Sequence, residues 1–291
     1  MDTQELLKRL RRIEIKSSRL SEDIFSGAYR SAFKGRGMSF SEVREYQPGD
    51  DVRDIDWNVT ARYARPYVKV YEEERELTMI LLVDISRSEH FGTVGMTKRQ
   101  RVAEIAGTLA FSTIKNNDNV GVIFYSDRVE KYIPPSKGHK HVLTILSEIL
   151  SIEPEGSGTD ISVALRFAHN VQRKSCTLFL LSDFIDGSDY AKTLAVVRNK
   201  HDLLAMQVYD PHEAELPMVG LLRVRDAETG EVRVIDSSSK SVRKQYREYW
   251  QELSARLRET FSKYNIGYAS VSTSEDYVPR LQRLFTHPRI C

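Results

Sequence analysis

The stretch ILLVDISRSEHFG, residues 80–92, decides the fold. Its first four residues continue the apolar run LTMILLVD (77–84), which lacks the alternation of a strand with one wet face. A continuous run of this length is expected of a strand covered on both faces, as in a parallel sheet with helices above and below. The run then meets an acid and two spaced hydroxyls, Asp84, Ser86 and Ser88, where the strand should end. Either these residues shape a turn or they hold something.

Outward from this stretch, strand and helix patterns alternate. Val102, Ile105, Ala106 and Leu109 recur at helical spacing, VGVIFYS (120–126) reads as a strand, and RVEKYI (128–133) as a second one ending at Pro134-Pro135. Val142, Ile145, Leu146 and Ile149 predict a further helix, and Ile161, Ala164, Leu165 and Ala168 another. TLFLLSD (177–183) repeats the first design, an apolar strand closed by Ser-Asp. A helix capped by Ser188 follows, and then LLAMQVYD (203–210), which also ends in an aspartate. LLRVRDAETGEVRVID (221–236) predicts two strands around a turn at Thr229-Gly230. Val242, Tyr246, Trp250 or Tyr249, Leu253, Leu257 and Phe261 form the stripe of a long helix; IGYASVST and a helix around Tyr277 to Phe285 end the pattern. The expected fold is α/β, a doubly wound, mainly parallel sheet with helices on both faces.

Composition narrows the function classes. The chain has 291 residues, and its 43 basic and 41 acidic side chains leave a net charge of +2, too balanced for nucleic acid as the main partner. Two cysteines supply neither a disulfide framework nor a multi-cysteine zinc site. No apolar run approaches the roughly 20 residues that span a bilayer, and MDTQELLKRLRRIEIK lacks the apolar segment of a secretory signal. A cytoplasmic location is the expectation.

Residues 1–75 differ in texture from residues 76–291. Leu6, Leu10 and Ile13 mark one helix among basic residues, and a charged lead-in with little periodicity follows. In the lead-in Arg44, Tyr46, Pro48, Gly49, Asp50, Asp51, Arg53, Asp56 and Trp57 crowd charge and aromatics together, which predicts Arg–Asp clamps with Tyr46 and Trp57 as anchors. Lys8, Arg9, Arg11, Arg12, Lys16 and Arg19 read as the wet face of the first helix. His139 and His141 would be a transition-metal pair only with a third ligand; a loop or a helix start suits them better.

Three features fall at the carboxyl ends of predicted strands, where an open parallel sheet binds its ligands. They are Asp84 with Ser86 and Ser88, the segment GSGTDIS with Thr159 at a helix start, and Asp183. Singly, each has a plain explanation as a turn, an N-cap or a strand-end acid. Together they make an all-oxygen set suited to a hard cation, Mg2+ before Mn2+ or Ca2+, with too few carboxylates to saturate it.

DISRS, GSGTD and LLSD, in that order, resemble the metal-ion-dependent adhesion site of von Willebrand factor A domains, over roughly residues 77 to 275. The segment GRGMSFSEVREYQPGDDVRDIDWNVTARYARPYVKVYEEERE, and DAETGE further on, resemble the domain of unknown function 58 (DUF58) family, here the short type without membrane helices. The resemblance implies a von Willebrand factor A-like fold with a family-specific N-terminal extension. It also implies that Asp84, Ser86, Ser88, Thr159 and Asp183 hold Mg2+, and that a partner carboxylate completes the coordination. The implied partner is a MoxR-type AAA+ ATPase with its client, which makes the chain a non-enzymatic binding module. The alternative is an Mg2+-dependent phosphotransfer or hydrolytic enzyme with Asp84 as nucleophile. Phosphatases that place an aspartate this way want a second acid two residues later, where Ser86 stands, and no GxxxxGK[ST], GxSxG or HExxH motif occurs.

Overall fold

The computed structural model describes residues 3–32, 39–72, 76–93, 95–227 and 230–286. In chain order its elements are helix α1 (Thr3–Ala32), strand β1 (Ser39–Glu45), helix α2 (Trp57–Tyr63), strand β2 (Tyr67–Glu72), β3 (Thr78–Asp84), α3 (Lys98–Lys115), β4 (Asn119–Tyr125), β5 (Val129–Ser136), α4 (His139–Ser151), α5 (Ile161–Val171), β6 (Thr177–Ser182), α6 (Ala191–Arg198), β7 (Asp202–Tyr209), the single turn α7 (Pro211–Ala214), β8 (Leu221–Arg225), β9 (Val232–Asp236), α8 (Lys240–Lys263), β10 (Gly267–Ser272) and α9 (Val278–Thr286). They form two compact units, one of Met1–Phe33 with Thr78–Cys291, the other Lys34–Leu77.

The larger unit is built on a six-stranded sheet in the order β10-β7-β6-β3-β4-β5. All neighbours are parallel except β5, which runs antiparallel at one edge. The chain enters at β3, winds outward through β4 and β5, then returns to β6 on the other side and winds out through β7 and β10. The winding therefore reverses between β3 and β6, and the crevice at a reversal point is where such sheets bind ligands. The fold is von Willebrand factor A-like, as the motif order implied.

Alternation along the central strands feeds two cores. Ile80 and Leu82 join Leu178, Leu180, Ala164, Leu165, Leu194, Leu257 and Phe261, so α5, α6 and α8 cover that face. Met79 lies on the opposite face against Thr113 of α3, and Phe179 meets Phe285 of α9 there. Each such apolar side chain contributes about 1.5–3 kcal/mol on burial, which explains why an uninterrupted apolar run was needed. Along α8 the apolar stripe chooses Trp250, whose ring lies 5.1 Å from Tyr209, over the exposed Tyr249.

Helix α3 is buried almost throughout, polar residues included. The cause is α1: a Cβ built at Gly107 would meet Ser17 Oγ at 2.9 Å, Ile13 Cγ2 at 3.1 Å and Leu146 Cδ2 at 3.3 Å, so α1 and α4 close on α3 around a residue without a side chain. Lys16 donates across the contact to Glu104 at 2.8 Å, and the neighbouring exposed basic residues form the expected wet face. Helix α1 thus belongs with the sheet unit, and the 75/76 division expected from texture becomes two cuts, near 33 and 77. Two smaller expectations shift, and that of a helix start at His139 and His141 is met. Tyr190 rather than Ser188 sits at the N-terminus of α6. The β5 pattern runs on through Pro134 and Pro135 to Ser136, which an edge strand tolerates. His139 and His141 open α4, where His141 Nε2 lies 2.7 Å from the Val120 carbonyl. Thr229 and the side chain of Leu6 lie outside the described residues.

In the smaller unit β1 and β2 pair antiparallel, and Asp56 caps α2 by accepting from the backbone of Asn58 and Val59. The expected clamps are present: Arg44 donates twice to Asp50, at 2.8 and 2.7 Å, and Arg53 pairs with Asp51 at 2.9 Å. Trp57 is 67% exposed and anchors nothing there, because position N1 of the short α2 points it outward.

Candidate functional site at the carboxyl edge of the sheet

Parallel register brings the ends of β3 and β6 together, with Val83 opposite Leu181. Asp84, the last residue of β3, is buried; it accepts from Ser86 N at 2.8 Å and from Ser182 Oγ at 2.7 Å. Ser86 Oγ is 3.1 Å from Ser88 Oγ, and Ser88 Oγ donates to Asp183 Oδ2 at 2.7 Å. Four of the five residues singled out in the sequence therefore join one hydrogen-bonded chain across the reversal point.

The fifth, Thr159, is carried to the same edge by its loop. Asp160 N donates to the Ser126 carbonyl at the end of β4, Gly156 N to Glu130 at 2.8 Å, and Ser157 N to Asp127 at 3.2 Å. Asp160 then caps α5, accepting from Ser162 N and Val163 N.

The turn after β6 is unusual. Phe184 adopts a left-handed backbone, φ 58°, a conformation that costs a bulky residue about 1–3 kcal/mol. It is held by Phe184 N donating to Ser182 Oγ at 2.9 Å and by edge-on packing of its ring on Phe261 and Tyr268. The same turn lets Ile185 N donate to Asp183 Oδ1 at 3.0 Å. Gln207 supports it from β7 by donating to the Asp183 carbonyl at 3.0 Å, and is itself fixed by Tyr268 at 2.6 Å.

Three charged residues complete the site, and no sequence pattern announced them. Lys98, the first residue of α3, is fully buried and donates to Asp183 Oδ2 at 2.6 Å and to Glu213 Oε1 at 2.7 Å. Burial draws its ammonium down, but Asp183, Glu89 and Glu213 outweigh that and hold it well above the ordinary lysine value. Glu213 also accepts from Asp210 N as part of the α7 capping box, and burial raises its carboxyl. Glu89 lies in the 3-10 turn Arg87–His90 that follows Ser86; it is fully buried, and neither of its carboxylate oxygens has a hydrogen-bond partner among the described residues. Oxygens of Asp84, Glu89 and Asp183 lie within 4.8 Å of one another. Burial, then the Asp183 charge, pushes the Asp84 carboxyl up to about 7, and burial raises Glu89 well above the usual carboxylate range.

The donors are all oxygen, three are carboxylates, and one carboxylate is buried without a partner. That chemistry fits a hard divalent cation. Asp84, Ser86, Ser88 and Asp183, with Thr159 from the neighbouring loop, are the residues that would hold it, and such an ion would supply a positive centre at the sheet edge.

Comparison with known proteins agrees with this architecture. The chain is 32% identical over 235 residues to the uncharacterized protein Rv1480 of Mycobacterium tuberculosis, covering 80% of this chain and 74% of that protein. It is 26% identical over 109 residues to the uncharacterized protein YeaD of Bacillus subtilis, covering 38% of this chain and 25% of that one. Among solved structures, an aerotolerance-related membrane protein from Bacteroides fragilis superposes with a TM-score of 0.50 at 17% identity, over 72% of this chain and 96% of that one, a likeness of fold. Among the described residues no helix is long and apolar enough to cross a membrane. The model of the family described as "Protein of unknown function DUF58" matches residues 42–256, and with most of its length inside that match the chain belongs to the DUF58 family.

Proposed function

We propose that the protein is a non-enzymatic, Mg2+-dependent protein-binding module. The observation that carries this reading is the hydrogen-bonded chain Asp84–Ser86–Ser88–Asp183 at the point where the winding of the sheet reverses. Asp84, Ser86, Ser88, Thr159 and Asp183 hold the ion directly or through water, and a carboxylate of a partner protein completes its coordination. The likeness of the motif order to the metal-ion-dependent adhesion site supports this assignment. Family resemblance supports a MoxR-type AAA+ ATPase as the partner, working in the cytoplasm on a client protein. Against Asp84 as a phosphoryl-accepting nucleophile, both of its oxygens already accept hydrogen bonds and the carboxyl is buried.

The test is calorimetric titration of Mg2+ into the full chain and into Asp84→Asn, paired with Mg2+-dependent co-purification of a MoxR-type ATPase. Loss of both in a variant with an unchanged circular dichroism spectrum is the expected result. Equal Mg2+ binding by the variant would sink the metal-docking reading, and Mg2+-dependent phosphate-ester turnover that disappears with the substitution would replace it with the enzyme.

A further inference from the structure

Glu89 has no role among the five residues of the adhesion-type motif, yet it is among the most conspicuous side chains of the site. Buried polar atoms almost always find a partner, and a buried carboxylate with none requires an explanation. Nearby cations do not provide one. Lys98 spends hydrogen bonds on Asp183 and Glu213, and Arg99 directs its guanidinium to the carbonyls of Ile149 and Ile152 and to His90. Four carboxylates, Asp84, Glu89, Asp183 and Glu213, thus act on one another around the single ammonium of Lys98. The backbone places Glu89 there by construction: Glu89 N donates to the Ser86 carbonyl at 3.1 Å, and Phe91 N donates to the Ser88 carbonyl at 3.0 Å. These bonds close a tight 3-10 turn that puts Glu89 inside and Arg87 outside.

We infer that Glu89 is a further ligand of the divalent cation, an internal third carboxylate beside Asp84 and Asp183. The inference rests on the reading of this edge as a divalent-cation site. Its consequence is that the chain can load the ion without a partner, because a third carboxylate of its own has an oxygen within 4.8 Å of those of Asp84 and Asp183. A partner then binds by displacing Glu89 or by adding to it, and metal loading precedes recognition. Lys98 acts on Glu89 by its charge alone, and the ion gives the Glu89 oxygens the direct contact that Lys98, hydrogen-bonded to Asp183 and Glu213, does not.

The probe is Mn2+, followed by the electron paramagnetic resonance signal of the free ion as it is titrated with the full chain, with Mg2+ as competitor. Wild type is compared with Glu89→Gln, which keeps the shape, Glu89→Asp, which keeps the charge, and Ser88→Ala within the motif. Glu89→Gln should weaken Mn2+ binding at least about tenfold, the smallest loss that removing even an outer-shell partner brings. Glu89→Asp should fall between it and wild type. Thermal unfolding separates ligation from a merely structural role: without metal, Glu89→Gln should melt no lower than wild type, since it removes a buried unpaired carboxylate, yet Mn2+ should raise its melting temperature less. Unchanged Mn2+ affinity in Glu89→Gln, with affinity lost in Ser88→Ala, overturns the role of Glu89 and leaves the metal site standing. Absence of Mn2+ binding by wild type overturns both.

Discussion

Replacing Lys98 by methionine, which keeps the length and volume of the stem and deletes the ammonium, tests the electrostatics of the site directly. Lys98 is an improbable first residue for a helix, because a cation at the N-terminus opposes the helix dipole by about 0.3–1 kcal/mol. It is nevertheless fully buried, 2.6 Å from the buried Asp183 and 2.7 Å from Glu213. Removing one partner of a buried ion pair typically costs about 3–5 kcal/mol, since the charge left behind has neither water nor counter-ion. Lys98→Met should therefore lose about that much in the presence of EDTA, and at roughly 2–4 °C per kcal/mol for a unit of this size the melting temperature should fall by about 6–20 °C. Added Mg2+ should restore more stability to the variant than it adds to wild type, because the ion no longer shares Asp183 with an ammonium. At a hundred times its dissociation constant an ion contributes about 2.7 kcal/mol, enough to recover much of the loss. Circular-dichroism melts at stepped Mg2+ concentrations measure both quantities. A variant as stable as wild type in EDTA would refute the assignment of Lys98 as counter-charge, and one destabilised equally with and without Mg2+ would refute its competition with the ion.

Two further predictions concern the supports of the site. A Cβ at Gly156 would lie 2.1 Å from Asp127 Oδ1 and 2.2 Å from Ser126 Oγ, so Gly156→Ala should displace the loop that carries Thr159, cost about 1–3 kcal/mol as overpacking does, and weaken Mn2+ binding; unchanged melting and affinity would count against a role for that loop. Asp210 accepts from Thr93 N at 2.7 Å and Thr93 Oγ1 at 2.5 Å; burial pushes its carboxyl up, but these bonds and that from His212 N outweigh burial and hold it below the ordinary aspartate value. A depressed folded value stabilises above the unfolded one, so Asp210→Asn should cost about 1–3 kcal/mol at neutral pH, and the gap from wild type should close as pH falls below 3.8; a gap independent of pH would contradict the assignment.

What was legible in the sequence follows the physics of each signal. Strands β3 and β6 were readable because a strand covered on both faces must be apolar without interruption, and the motif could be placed because strand ends converge on one edge. Glu89 and Lys98 were not readable. An acid after Ser-Arg-Ser and a lysine in TKRQR look like solvated charges, and only the 3-10 turn and the covering of α3 by neighbouring helices turn them inward. Likewise α1 showed a basic face and an apolar stripe but not its seat, which depends on the missing side chain of Gly107, a contact distant in sequence. Arg–Asp clamps were readable from the crowding of charge in the lead-in, but which acid Arg44 takes, Asp50 across a Pro-Gly turn, depends on that turn's geometry, as the outward aim of Trp57 depends on where α2 begins.

Strand β5 ends the sheet with Pro134 and Pro135 side by side, opposite a bulge at Gly121, where a Cβ would come within 2.8 Å of Pro135 N. Neither proline has an amide hydrogen to offer, so a visiting chain that tried to lengthen the sheet would find its hydrogen-bond ladder interrupted at this end of the border. Strand addition is weakened at that end of the flank, which works against copies of the molecule zippering together through it and favours encounters governed by side-chain chemistry at the strand tips.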